Sequence, residues 1–164
     1  MEVAVNRVSA VCLGNICRSP IAAAVLRDRF ARADLQVSVD SSGTGGWHVG
    51  EGADPRAQRT LAQAGYPHSH TARQFDPDDC GDLILAMDTH NYRDLQAILG
   101  ADPRLRMIRE FDPGLAEFEP GDPQLDVPDP YYGGADGFAT VLAMLERAAD
   151  GVVAHVQARG AAPS

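Results

Sequence analysis

The chain contains no lysine: its fourteen basic residues are all arginine. That absence excludes P-loop nucleotide hydrolysis, which sets a lysine on the phosphates, and Schiff-base chemistry. Positive charge as a whole is scarce. A net charge of −9 disfavours nucleic acid and anionic membrane surfaces as partners. There is no apolar run approaching the ~18 residues of a membrane span. Met1–Ala10 lacks a basic stretch followed by a long apolar block, so no signal peptide is expected. Three cysteines are too few for a disulfide framework, which fits a reducing, cytoplasmic setting. Cysteines and histidines show no paired ligand spacing, so no metal is expected. No repeat, linker or low-complexity tract interrupts the 164 residues, so residues 1–164 read as one domain with a single core. Rich Ala, Arg, Gly and Asp without Lys points to a high-GC bacterial genome.

Against those absences stands one dense string, Cys12-Leu13-Gly14-Asn15-Ile16-Cys17-Arg18-Ser19-Pro20. An apolar β-like run leads in and a helical pattern leads out, so the string lies on a strand-to-helix turn. Backbone N–H groups and the helix dipole favour an anion there. A thiol in such a place is expected to be a thiolate nucleophile. Arg18 adds a planar fork of donors matched to two phosphate oxygens. Gly14 permits positive φ and close backbone approach, and Asn15 is the non-glycine residue best suited to a left-handed position. Ser19 can donate to the thiolate, and Pro20 suits a first helical turn. A nucleophile facing an oxyanion cradle formed by residues 13–19 is equipped to attack a phosphoryl group.

Strands are predicted at Val8–Leu13, Val37–Asp40, Leu83–Ala86 and Leu105–Ile108. Helices are predicted at Ile21–Ala33, Arg56–Ala64, His90–Leu99 and Phe138–Ala158. The alternation implies an α/β fold with a central parallel sheet. Val141, Leu142, Leu145, Ala148, Ala149, Val152 and Val156 give the last helix an apolar stripe that should close one face. Ser41–Pro55 and Phe111–Asp136 read as surface loops, and the length of the second suggests a functional role.

The string resembles the signature of the low molecular weight protein tyrosine phosphatases. So does Asp129-Pro130-Tyr131-Tyr132-Gly133 near the C-terminus. Weaker likenesses lie between them at Asp40–Thr44, Ser69–Gln74, and Met87-Asp88 with Asn91 and Arg93-Asp94-Leu95. The resemblance, to bacterial members of a high-GC actinobacterial kind, runs from about Val8 to Phe138. It implies four parallel strands with helices on both faces and the phosphate loop after the first strand. It also implies hydrolysis of protein phosphotyrosine through a phosphocysteine, with Cys12 as nucleophile, Arg18 on the phosphate and Asp129 as general acid and base, without cofactor or metal.

Asp-Pro occurs six times, at Asp54, Asp76, Asp102, Asp112, Asp122 and Asp129, and the dipeptide by itself marks only a turn or cap. Asp54 and Asp76 precede helical runs and read as caps; Asp129 is singled out by its Tyr-Tyr-Gly sequel and the resemblance. Trp47, Tyr131 and Tyr132 are candidate walls for a phenyl ring, although any of them could instead pack on the core. A partner tyrosine kinase could also phosphorylate the two tyrosines. The resemblance gives Ser41 and His70 the task of holding Asn15. Cys17 is a small apolar packer or a redox partner of Cys12, and Cys80 is expected to be buried or to cap a turn. Three other activities share parts of the pattern: a protein-arginine phosphatase, in which threonine would replace Ile16; an arsenate reductase, which needs further thiols; and a non-catalytic phosphoprotein-binding module, which needs no acid.

Overall fold

The computed structural model describes residues 4–131, 133 and 135–159. Four parallel strands form one sheet: β1 (Arg7–Cys12), β2 (Ser38–Gly43), β3 (Leu83–Ala86) and β4 (Leu105–Met107), in the order β2-β1-β3-β4. The helices are α1 (Arg18–Arg32), α2 (Pro55–Gln63), α3 (Thr89–Leu99) and α4 (Ala135–Ala158). Alternate side chains of the central strands feed two cores, as the period-2 geometry of a strand requires. Val8, Ala10, Cys12, Leu83 and Leu85 join the larger cluster with α1, α2 and α4. Val11, Ile84 and Ala86 face the other way, where Leu95 of α3 covers them. The apolar stripe of α4 is buried throughout and closes the larger core, as its spacing predicts. Helices therefore cover both faces, and the active string leaves β1 at the carboxyl end of the sheet, where open α/β sheets bind ligands.

Several boundaries differ from expectation, each for a physical reason. β2 continues through Ser41-Ser42-Gly43, which composition had placed in a loop. Those small residues pair with Ala10, Val11 and Cys12 of β1. A Cβ on Gly43 would lie 2.6 Å from the Leu13 carbonyl oxygen, so the floor beneath the active loop needs a glycine. α1 begins at Arg18 instead of Ile21, because the end of the anion loop is itself the first helical turn. α4 begins at Ala135, and the 111–136 connection carries short 3-10 turns at Pro113–Leu115 and Pro123–Leu125. Asp76 caps no helix: its side chain accepts the Asp78 N–H at 2.9 Å in a turn that leads directly towards β3. Among the described residues no helix is long and apolar enough to cross a membrane.

Candidate active site

α2 and α3 start on aspartate side chains, Asp54 and Asp88, that accept N–H groups of the first turn. α1 starts on Cys17 with no side-chain cap. The helix that follows the Cys12 loop thus keeps its N-terminal field for an anion.

Asn15 organises the loop. It sits left-handed at φ 59°, as expected for asparagine there, and every polar group it has is used. Its backbone N–H points at Cys12 Sγ (3.3 Å), and its side-chain amide donates to Ser19 Oγ (2.8 Å) and Ser41 Oγ (3.0 Å). Its Oδ1 accepts the backbone N–H of Arg73 (2.9 Å), and its carbonyl accepts from His70 Nε2 (2.6 Å). Ser41 therefore holds the side chain of Asn15, whereas His70 holds its backbone. With a Ser19 lone pair taken by Asn15, the Ser19 hydroxyl proton is directed to Cys12 Sγ, 2.9 Å away. Desolvation lowers the His70 pKa, so the ring is held neutral as the Nε2–H donor. Gly14 does not use the positive φ open to glycine. What it supplies is room, since a Cβ there would sit 3.1 Å from His48 Cδ2.

Arg18 is almost wholly buried, with a side chain 3% exposed. Its Nη1 donates to Asp88 Oδ2 at 2.6 Å and to the Val127 carbonyl at 2.9 Å, while Nη2 lies 3.6 Å from Asp129 Oδ2. Burial opposes the charge, but the negative charges of Cys12, Asp88 and Asp129 outweigh it and raise the pKa. The guanidinium is thus fixed from behind and permanently cationic.

All six Asp-Pro aspartates accept the backbone N–H two residues on, at 2.8–3.0 Å. The dipeptide is one local turn used six times, which is why it could not identify an acid by itself. Only Asp129 of the six lines the pocket that holds Cys12. Its Oδ1 is tied to the Tyr131 N–H at 3.0 Å, and its Oδ2 is turned to Arg18.

That pocket, of about 290 Å³, is bounded by Cys12, Leu13, Gly14, Ile16, Cys17 and Arg18 below and by Trp47, His48, Asp129 and Tyr131 above. Trp47 stands 72% exposed, so it is no core residue and is free to cover an entering ring. Tyr132 lies outside the described residues. Cys17 is buried beside Cys12, and burial pushes its thiol up to about 12. Cys80 is half-buried and its thiol faces the Pro77 carbonyl in a turn. Among the described residues no cluster of His, Cys, Asp or Glu could hold a metal.

The sequence reading missed three supports: Asp88, the carbonyl of Val127 and the backbone of Arg73. Asp88 and Arg73 lie in segments of family likeness to which no role is attached, and Asp88 also stands between an apolar strand and a helix. His48, which the sequence marks only as one of the histidines without ligand spacing, also walls the pocket.

The model of the low molecular weight phosphotyrosine protein phosphatases matches residues 7–162. A Streptomyces coelicolor low molecular weight protein-tyrosine-phosphatase is 48% identical, over 92% of this chain and 93% of its own. Among solved structures, a protein tyrosine phosphatase from Entamoeba histolytica superposes with TM-score 0.83 at 31% identity, over 93% of this chain and 97% of that one. A Drosophila arginine phosphatase superposes with TM-score 0.79 at 29% identity, covering 94% and 97%. With the loop, the arginine and the aspartate assembled in one pocket, and with likeness over nearly its full length, the chain belongs to the low molecular weight phosphotyrosine protein phosphatase family.

Proposed function

We propose that the protein hydrolyses phosphotyrosine in phosphoprotein substrates in two displacements at phosphorus. The Cys12 thiolate attacks in line; the S–P bond forms as the bond to the tyrosine oxygen breaks. The loop amides and Arg18 hold the equatorial oxygens as their charge develops. Asp129 gives its proton to the departing phenolate, whose conjugate acid has a pKa of about 10. The Asp129 carboxylate then takes a proton from water, which attacks phosphorus and releases inorganic phosphate and the thiolate. These steps use protein groups and water only, without a cofactor.

The observation that carries this reading is the placement of Cys12, Arg18 and Asp129 on one small pocket, with Asp129 Oδ2 directed inward. A binding module would need the first two but not the third. Trp47 and Tyr131 suit the flat face of a phenyl ring, and Ile16 adds an apolar surface with no hydroxyl for a guanidinium-borne phosphate. The match over residues 7–162 supports the whole chain as one catalytic domain. Three unpaired cysteines suit a reducing cytoplasm. Tyr131, exposed at the rim, is open to a tyrosine kinase.

Comparing kcat/KM for phosphotyrosine, phosphoarginine and phosphoserine versions of one peptide tests the assignment. Phosphotyrosine should lead by at least about a hundredfold, which about 2.7 kcal/mol of differential transition-state binding supplies. A lead for phosphoarginine would transfer the protein to the arginine-specific relatives.

A further inference from the structure

We propose that Arg56 is a positioning residue that sets the height of Asp129 above the nucleophile by clasping the acid loop to the phosphate loop. The inference rests on the assignment of Asp129 as the acid. Ala-Asp-Pro-Arg occurs twice in the chain, at residues 53–56 and 101–104, and both copies fold into the same fork. The carboxylate accepts the backbone N–H of the arginine two residues on and grips its guanidinium from the side. The distances are 3.1 Å (Nε to Oδ1) and 3.0 Å (Nη2 to Oδ2) at Asp54–Arg56, against 3.0 and 2.7 Å at Asp102–Arg104. The fork is therefore a local product of the tetrapeptide, and the two copies differ in what the arginine reaches. Arg104 turns its remaining face to Cys80 Sγ at 3.8 Å.

Arg56 reaches the acid loop. Its Nη2 donates to the Tyr131 carbonyl at 2.9 Å and its Nη1 to the Gly133 carbonyl at 3.2 Å. Its guanidinium carbon stands 5.6 Å from the Tyr131 ring centre and 4.8 Å from that of Phe138, at cation–π range. The pinned segment turns back on itself, with Gly133 N–H donating to the Pro130 carbonyl at 3.1 Å and Tyr131 N–H to Asp129 Oδ1 at 3.0 Å. Fixing the Tyr131 and Gly133 carbonyls thus fixes Asp129. At the other end of the bracket, the Asp54 N–H donates to the Ile16 carbonyl inside the phosphate loop at 2.8 Å. Residues 54–56 therefore tie the loop that carries the nucleophile to the loop that carries the acid. Arg56 is absent from the pocket lining, so it touches no substrate and acts through the segment that carries Asp129 and Tyr131.

The test compares Arg56→Ala, Arg56→Lys, Asp129→Ala and the Arg56→Ala/Asp129→Ala double variant on two esters. One is phenyl phosphate, whose leaving group needs a proton; the other is an activated aryl phosphate, whose phenolate leaves unaided. The quantity compared is kcat/KM, which reports phosphoryl transfer to Cys12 and not the later hydrolysis common to both esters. A misplaced acid lowers it by roughly ten- to hundredfold where the leaving group needs a proton. Arg56→Ala should show that loss on phenyl phosphate, little on the activated ester, and little change in inhibition by inorganic phosphate. Arg56→Lys should remain impaired, because an ammonium cannot span two carbonyls and cover two rings. In the Asp129→Ala background, Arg56→Ala should cost less than about twofold, since residues that act as a unit are non-additive. Equal losses on both esters, rescue by lysine, or full additivity would each overturn the inference. If Asp129→Ala itself lost kcat/KM equally on both esters, the acid assignment would fall and take the inference with it. A selective Asp129→Ala beside an unselective Arg56→Ala would overturn the inference alone.

Discussion

Asp88 holds Arg18 from behind: Oδ2 accepts Nη1 at 2.6 Å, while the other oxygen caps α3 by accepting the Asn91 N–H at 2.8 Å. One carboxylate thereby fixes both the helix and the aim of the Arg18 guanidinium. Asp88→Asn keeps an oxygen for the cap and leaves Arg18 charged, so the aim suffers more than the attraction. We expect kcat to fall by at least about tenfold while inhibition by inorganic phosphate changes far less. Comparable losses in both would mean that Asp88 sustains binding and not aim.

His70 makes stability depend on pH with a definite sign. Burial lowers its pKa in the folded protein, so the unfolded chain takes up the proton first. The stabilisation from the His70–Asn15 bond is therefore complete above pH ~6.5 and declines as pH falls below it towards the folded pKa. His70→Ala should cost about 1 kcal/mol or more at pH 7.5, for the bond and the uncovered carbonyl. It should cost less at pH 5.5. Denaturant unfolding at the two values checks this, and a gap that widens on acidification would contradict it.

Much of this fold is legible in sequence because its strands are short apolar runs and α4 carries a long apolar stripe. β2 escaped beyond Asp40 because Ser41, Ser42 and Gly43 have a loop's composition and a strand's burial, a combination fixed by pairing with β1. Cys12, Asn15, Arg18 and Ser19 were readable because they sit on one turn. Asp88, Val127 and Arg73 meet that turn from 58 to 109 residues away and left little local trace. Asp129 stood out as the candidate acid only through its Tyr131-Tyr132-Gly133 sequel and the family resemblance, since the Asp-Pro turn is common to six aspartates.

Cys17 stands beside Cys12 as a candidate resolving thiol, but burial pushes it up to about 12, so it is a thiol at neutral pH. Peroxide should convert the Cys12 thiolate to a sulfenic acid, and Cys17 should displace water from it to form a disulfide, faster as pH rises. Wild-type activity should return with dithiothreitol, more fully after oxidation at pH 8.5 than at 6.5, and Cys17→Ser should recover far less. Mass mapping that found Cys17 free, or Cys12 joined to Cys80, would contradict the assignment.

Trp47, exposed at the rim, should act mainly in binding the ring. Trp47→Ala is expected to raise KM for aryl phosphates several-fold, in line with the ~0.5–1.5 kcal/mol of an aromatic pair, and to change kcat less. An unchanged KM would remove it from the substrate wall, as would a phosphoserine peptide turned over as well as phosphotyrosine.

The covalent intermediate is the centre of the account. In Asp129→Ala an activated aryl phosphate can still phosphorylate the enzyme, while hydrolysis of the phosphoenzyme lacks its base. Rapid quenching followed by peptide mapping should find phosphate on Cys12, appearing with a burst of phenol close to one equivalent per active site. No phosphoenzyme under these conditions, or phosphate on any other residue, would contradict attack by Cys12.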